Sequence, residues 1–369
     1  MFTWVEVNTR AIKHNIAVFR KLIGKNRLLM PVVKANAYGH GMIEIAKICD
    51  KAKDVDRICV VSGGEAIALR ENGIKKPIQI LSFYDLDKSL TKLIGKNIIF
   101  PVYSIEQINY LQKIGEGLNK KIKIHLKLDT GAARTGILIK DLATFIQKIH
   151  GSNRLELEGL MSHFASSEEN KKHTRQQIKI FEEAARLIED TGIKLKVKHM
   201  ACSAASTIYP ASLFNGMRLG LSLYGLYPAE EITKIIKLKP ALSWHTKIIQ
   251  VKTLSAGSKI GYGGTYTTPN RQTIAVLPVG YWDGLDRGLS NIGEVLVKGI
   301  RCPIRGRICM NLTMVDVSKV KNPGAGMVAT IIGRSKGKIL TADDIAKKIN
   351  TINYEVVDRI NPLIPRIYR

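Results

Sequence analysis

Paired cysteines are missing from this chain. Its five cysteines, Cys49, Cys59, Cys202, Cys302 and Cys309, are odd in number and irregularly spaced, and no CxxC occurs. That argues against a disulfide framework and against a zinc ribbon. HExxH and a His/Cys cluster are also absent, so no metal site is expected. No apolar run reaches the roughly 18 residues a membrane helix needs, so no membrane partner is expected. The first residues, MFTWVEVNTRAIKHN, lack a charged segment followed by an apolar one. A secretory leader is therefore not expected, and the expected location is cytoplasmic. Acidic residues are scarce, with 31 Asp+Glu against 57 Lys+Arg and a net charge of +26. Such a field attracts anions, nucleic acid and phosphorylated ligands among them. The basic residues are scattered (KKPI, KSLTK, NKKIKI, NKKH) rather than gathered in one block with aromatics. A solvated, lysine-rich surface is the preferred reading, and no nucleic-acid partner is expected.

What is present is a regular alternation. Eight apolar runs rich in Val, Ile and Leu occupy 29–35, 58–62, 78–82, 98–104, 123–129, 157–163, 197–203 and 217–225. Near-continuous apolar runs suit parallel strands buried on both faces. Between them lie amphipathic stretches such as GMIEIAKICDKA, GGEAIALRENG and SIEQINYLQKIG, several ending at Gly. The expected fold is α/β: a (β/α)8 TIM barrel over residues 1–228. A doubly wound sheet is the alternative, weakened by the absence of a GxGxxG turn. TWVEVNTRAIKHNIAVFRKLIG reads as a strand and helix ahead of the barrel, and that first strand is a candidate to join the C-terminal domain. After about residue 228 the helical pattern nearly vanishes. Alternating segments broken by Gly, Pro and Asn predict an antiparallel β domain over 229–369. It has one short helix, in TADDIAKKIN, starting at a Thr cap.

Barrel active sites lie at the C-terminal ends of the strands. The expected strand ends carry Lys34, Asn36 and Tyr38; Lys127, Asp129 and Arg134; Ser162 and His163; Cys202 and Ser203; and Arg218 with Gly220. Taken singly, His163 reads as a structural histidine, Arg134 as a loop cap and Lys127 as a surface partner of Asp129. Jointly they point to one mouth. A lysine at a buried strand end loses hydration, so its amine becomes nucleophilic. That suits a Schiff base with a carbonyl compound, pyridoxal phosphate included. Ser203 and the backbone N–H groups of Gly220 and Leu221 are candidates for a phosphate site near the last two strands.

The residues resemble the bacterial alanine racemases. VVKANAYGHG is similar to that family's cofactor-lysine motif. KLDTGAARTG, EGLMSHF, MRLGLSLYGL, KIGYGGTYT, VGYWDGL, GRICMN and NYEV resemble further family segments in the family's order. The resemblance covers nearly the whole chain. It implies a pyridoxal 5'-phosphate-dependent enzyme that interconverts L-alanine and D-alanine and supplies D-alanine for peptidoglycan. Lys34 would hold the cofactor and act as one of two Cα bases. Tyr262, from the β domain of a partner in a homodimer, would be the other; Tyr266 is a rival that the family pattern does not favour. Arg218 would face the pyridine nitrogen, with His163 in the network around it. Arg134 would bond the phenolic oxygen and, with the Met310 N–H, bind the substrate. Lys127, carbamylated in many members, would hold Arg134 in place. Tyr38, Ser203, Gly220 and Leu221 would bind the phosphate, and Tyr281 would line the entrance.

Two bases on opposite faces explain why these residue types suit racemisation, since a proton leaves one face of Cα and another returns on the opposite face. Free lysine and tyrosine have pKa values of about 10.4 and 10, so both need tuning by neighbours. The chain departs from the family at three places. Cys202 stands where Asn commonly precedes the phosphate serine, Asn311 where Asp commonly lies near the entrance, and Pro362 where some members have a tyrosine near the phosphate. These departures leave open a racemase of other or broader amino-acid range. A non-catalytic pyridoxal phosphate carrier is a weaker alternative, because such single-barrel proteins lack a β domain.

Overall fold

The computed structural model describes residues 1–369. The chain forms two compact units. One is Ala11–Ala37 with Met42–Lys239; the other is Met1–Arg10, Tyr38–Gly41 and Pro240–Arg369.

The first unit is the barrel. With β1 at Thr3–Val7, the barrel strands are β2 (Leu28–Pro31), β3 (Ile58–Ser62), β4 (Ile78–Phe83), β5 (Ile98–Val102), β6 (Ile122–Lys127), β7 (Leu155–Met161), β8 (Val197–His199) and β9 (Gly216–Leu219). Strands β3 to β8 pair in chain order, and β2 pairs with β9. Parallel bridges Val32–Cys59 and Ala201–Met217 join the two sets. Every expected run holds a strand, and the ring closes. The strands are apolar because most of their residues have no access to water; all five of β5 are buried.

The helices start where short polar side chains offer an acceptor. Ser62 accepts from the Glu65 N–H ahead of Gly63–Glu71. Ser104 and Gln107 form a reciprocal box ahead of Ile105–Gly117. Two expectations need correction. The unit after β4 has only a 3-10 turn, Lys88–Lys92, capped by Asp87. The last run is strand only to Leu219; Leu221–Tyr224 is a 3-10 turn closed by left-handed Gly225. Apolar content alone does not separate a buried strand from a buried turn.

The second unit is built on mainly antiparallel sheets, β1 and Arg366–Tyr368 being a parallel pair. One runs in the order Ile300–Pro303, Glu294–Val297, Val328–Ser335, Leu242–Lys247, β1 and Arg366–Tyr368. β1 pairs antiparallel with Leu242–Lys247, Val5 opposite the fully buried Trp244. The Ala342–Lys348 helix begins at Thr341, which forms a capping box with Asp344. A second helix, Asn353–Asp358, is not expected from the sequence. It has no side-chain cap, but it buries Val356 and Val357, and Asn353 donates to Asp343. Tertiary packing rather than local signal stabilises so short a helix.

Candidate active site

Lys34 ends the first barrel segment and opens a turn of unusual handedness. Ala35, Asn36, Ala37 and Tyr38 all have φ between 51° and 54°. L-residues pay about 1–2 kcal/mol each for this conformation, so the turn persists only because its surroundings hold it. The Ala35 N–H donates to Glu65 Oε1 (2.9 Å), the Ala37 N–H to Val33 O (2.9 Å), and the Met42 N–H to Asn36 Oδ1 (3.1 Å). Within the second unit, Arg366 Nε donates to Gly39 O (3.1 Å) and the Tyr368 hydroxyl to His40 O (3.0 Å). The rings of Tyr38 and Tyr354 lie 6.1 Å apart. In the barrel unit, the backbone that follows Lys34 is thus held by Glu65, Val33 and Asn36.

Lys127 is the last residue of β6 and is buried. Its Nζ donates to Leu81 O (2.6 Å) and sits 5.9 Å from the Tyr103 ring centroid. Burial, then the charges of Arg218, Arg134 and Lys34, push its pKa down to about 8. The loop after β6 is organised by Asp129. Its Oδ1 accepts from the N–H groups of Gly131, Ala132 and Ala133 at 2.8–3.2 Å. Burial alone would raise this carboxyl, but the backbone bonds more than offset it and hold it low. Asp129 thus faces its own loop, the loop that carries Arg134, rather than pairing with Lys127. Gly136 is required here: a Cβ would lie 2.6 Å from the Asp129 nitrogen.

His163 follows β7. Arg218, on β9 and buried, donates from Nη2 to His163 Nδ1 (3.1 Å), Ser162 O (2.7 Å) and Met200 O (3.0 Å). Burial, then Arg218, Arg134, Lys34 and Lys127, hold the His163 imidazole well below its usual pKa, so it is neutral. Arg218 touches this uncharged ring, and the charges of Arg134, Lys34 and Lys127 also act on it. Ser203, buried at the start of the Ser203–Ile208 helix, accepts from the Gly220 N–H at 3.1 Å. Leu221 is buried beside it. Cys202, one residue earlier, is 3.6 Å from the Ser167 hydroxyl, and burial raises its thiol pKa.

Within the barrel unit, Lys34, Lys127, Arg134, His163 and Arg218 act electrostatically on one another, and Ser203 is bonded to Gly220, the residue before Leu221. The remaining expected residues belong to the other unit. Tyr262 opens the 3-10 turn Tyr262–Gly264 and is 73% exposed. The segments that carry Tyr281 and Met310 are joined through backbone: the Tyr281 N–H donates to Cys309 O (3.1 Å) and the Trp282 N–H to Met310 O (3.0 Å). Asn311 and Pro362 are exposed. His125, His199, Glu158 and Arg57 are buried polar groups that the site pattern of the sequence does not single out. The available signal is a polar residue at an inward position of an otherwise apolar strand, as in KIHLK and LELEGLM.

Known proteins match over the same span. Residues 7–228 match the family model for the alanine racemase N-terminal domain, and residues 241–368 that for the C-terminal domain. The alanine racemase of Methanococcus maripaludis is 40% identical over 368 residues, 99% of this chain and 98% of that protein. The solved alanine racemase of Clostridium difficile 630 superposes with a TM-score of 0.93 at 34% identity, covering 100% of this chain and 96% of that one. A histidine racemase from Leuconostoc mesenteroides subsp. sake superposes at 0.89 with 28% identity, covering 100% and 98%. With both family models matched and relatives aligned end to end, the chain belongs to the alanine racemase family.

Proposed function

We infer that the protein is a pyridoxal phosphate-dependent alanine racemase, an isomerase that interconverts L-alanine and D-alanine. The observation that carries this is the cluster of Lys34, Lys127, Arg134 and Arg218 around neutral His163, in a chain that aligns with alanine racemases over its whole length. Two carboxylates lie close by, and both are engaged by backbone: Asp129 is turned into its own loop, and Glu65 accepts from the Ala35 and Val61 N–H groups. Such a donor set fits an anion with a carbonyl for an amine to condense with, which describes pyridoxal phosphate. Bound there, the cofactor would supply an electron sink that acidifies the substrate's Cα proton.

The chain's own residues would do the rest. Lys34 Nζ would hold the cofactor and exchange the Cα proton on one face. Tyr262 would exchange it on the other. Arg218, which cannot give up its proton, would keep the ring nitrogen unprotonated and so limit transamination. Arg134 would bond the phenolic oxygen and, with the Met310 N–H, the substrate carboxylate. Tyr38, Ser203, Gly220 and Leu221 would take the phosphate. Lys127, with its pKa near 8, presents the neutral amine that adds CO2. The product is a carbamate plus a released proton, and the carbamate is an anion able to pair with Arg134.

We also propose a homodimer in which Tyr262 of one copy serves Lys34 of the other. Tyr281, Trp282, Met310, Leu312 and Leu363 are 40–78% exposed. Asn361 donates to Trp282 O, which ties the Leu363 segment to the same patch. Clustered exposed apolar groups suit a protein interface. Sedimentation with dilution tests this: activity that persists in a monomer would overturn it. A role in supplying D-alanine for peptidoglycan, in the cytoplasm, follows from the same reading; no helix here is long and apolar enough to cross a membrane.

The deciding experiment is a panel of L-amino acids scored for D-product, with and without added pyridoxal phosphate. Alanine should dominate. Turnover of several amino acids at comparable rates would favour the broader-range racemase, which Asn311 and Pro362 motivate. Binding of the cofactor with no racemisation of any member would favour a carrier.

A further inference from the structure

Inside the barrel, a single file of polar side chains ends at Arg218. Arg218 Nη1 donates to His199 Nδ1 at 2.6 Å. His199 Nε2 lies 3.0 Å from His125 Nδ1, and His125 Nε2 lies 2.9 Å from Glu158 Oε2. Arg57 Nη1 donates to the same carboxylate oxygen at 2.7 Å, and Lys123 Nζ stands 3.5 Å from Oε1. Arg57 precedes β3, Glu158 and His125 lie within β7 and β6, and His199 closes β8. The file therefore climbs from the N-terminal side of the barrel toward the mouth. His125 and His199 are wholly buried, and Glu158, Arg218 and Arg57 are at most 9% exposed.

The two ends decide every proton between them. Guanidinium only donates and an ionised carboxylate only accepts. With Arg218 donating to His199 Nδ1, that nitrogen is bare, so the His199 proton sits on Nε2 and points at His125. His125 Nδ1 accepts it, so its own proton sits on Nε2 and points at Glu158. No other arrangement of two neutral rings satisfies all three contacts. Burial and nearby cations keep both rings neutral. Bonds from His125 and Arg57 keep Glu158 ionised against the effect of burial. Because the Arg218 guanidinium does not give up a proton, the file cannot conduct; it can only orient. Space is reserved for it: a Cβ on Gly159 would lie 2.9 Å from His125 Nε2 and 2.3 Å from Val197 O.

We propose that Arg57, Glu158, His125 and His199 are positioning residues that fix the orientation of Arg218 through a one-way hydrogen-bond column with both imidazoles as Nε2–H tautomers. Its catalytic consequence rests on the reading of Arg218 as the residue that faces the cofactor ring; the tautomers do not. Long-range 1H–15N correlation of the holoenzyme labelled at histidine tests the column directly. Signals are assigned by the loss of each in His125→Gln and His199→Gln. A protonated Nε2 with a bare Nδ1 is expected at both rings. An Nδ1–H tautomer or an imidazolium at either one overturns the proposal, whether or not the protein racemises alanine. The second arm compares His199→Leu with His199→Gln, whose amide can still accept from Arg218 and donate onward. The leucine variant should lose up to about 100-fold in kcat with a displaced cofactor absorption band, and the glutamine variant should recover most of both. A folded leucine variant with unchanged band and kcat overturns it. If that variant does not fold, the wild-type tautomers still decide. A protein with these tautomers and no racemase activity would refute the function and spare the column.

Discussion

At the scale of single residues, Lys127 and His163 are the perturbed bases of the site, and burial is the first cause in both. Lys34→Ala should remove covalent cofactor attachment and cut racemisation by roughly 10²–10⁴-fold or more, read as loss of the protein-bound absorption band and of D-alanine formation. Tyr262→Phe should cut racemisation over the same range while the band persists. Equal loss of the band in both variants would contradict the separate roles. Lys127 makes a prediction about pH. Its amine titrates near pH 8, whereas a lysine in water titrates near about 10.4. Carbamylation needs the neutral form, so intact-protein mass after brief bicarbonate treatment should show one added CO2 near pH 8 and much less near pH 6. Lys127→Ala should abolish the gain. An unmodified wild-type protein under both conditions would rule out the carbamate.

At the scale of elements, the segment after Lys34 is where the chain is least forgiving. Gly39 has φ of +80°, and a Cβ there would lie 2.1 Å from Val357 O, a backbone atom that cannot step aside. Gly39→Ala should cost about 3 kcal/mol or more, from conformational strain and overpacking together. Gly24→Ala is the control: φ is +77° but nothing lies within 4 Å, so only the strain of about 1–2 kcal/mol applies. Equal losses of unfolding midpoint in the two variants would refute the packing argument. The same segment marks how far the sequence can be read. The strand at LMPVV and the lysine at its end are legible, because apolar runs and their polar ends are local features. The left-handed turn is not, since Ala and Asn have no intrinsic preference that requires it and the side chain that holds its first N–H, Glu65, lies 30 residues away. The column below Arg218 is hidden for a related reason. His125, His199 and Glu158 find partners 33, 74 and 101 residues away, and only barrel closure pairs them. The Ala342–Lys348 helix is legible from its Thr341 cap, whereas Asn353–Asp358 has no capping side chain to announce it.

At the scale of the whole molecule, the buried histidines tie folding to pH. His125, His163, His199 and His245 all have folded pKa values below the ordinary imidazole value of about 6.5, with burial the first cause in each. Above that value neither folded nor unfolded chain binds protons at these rings, and they contribute nothing to the pH dependence. As pH falls below 6.5, the unfolded chain takes up protons that the folded chain refuses, so stability must fall. Each such imidazole contributes a slope of about 1.4 kcal/mol per pH unit until its folded pKa is reached. Glu158 acts in the same direction at more acid pH. Its folded pKa lies below the unfolded one, so its stabilisation is full above the ordinary glutamate value of about 4.3 and is lost as pH falls through the folded pKa. The formal charge of +26 rises further as protons bind, and self-repulsion adds to the trend. Unfolding free energy should therefore decline steeply from about pH 6.5 toward about pH 5, with proton uptake of more than one per chain on unfolding there. His199→Gln removes one titrating ring and should make that slope shallower by about one proton's worth. A flat profile across the window would mean that these rings are protonated inside the fold, and the neutral column under Arg218 would fall with it.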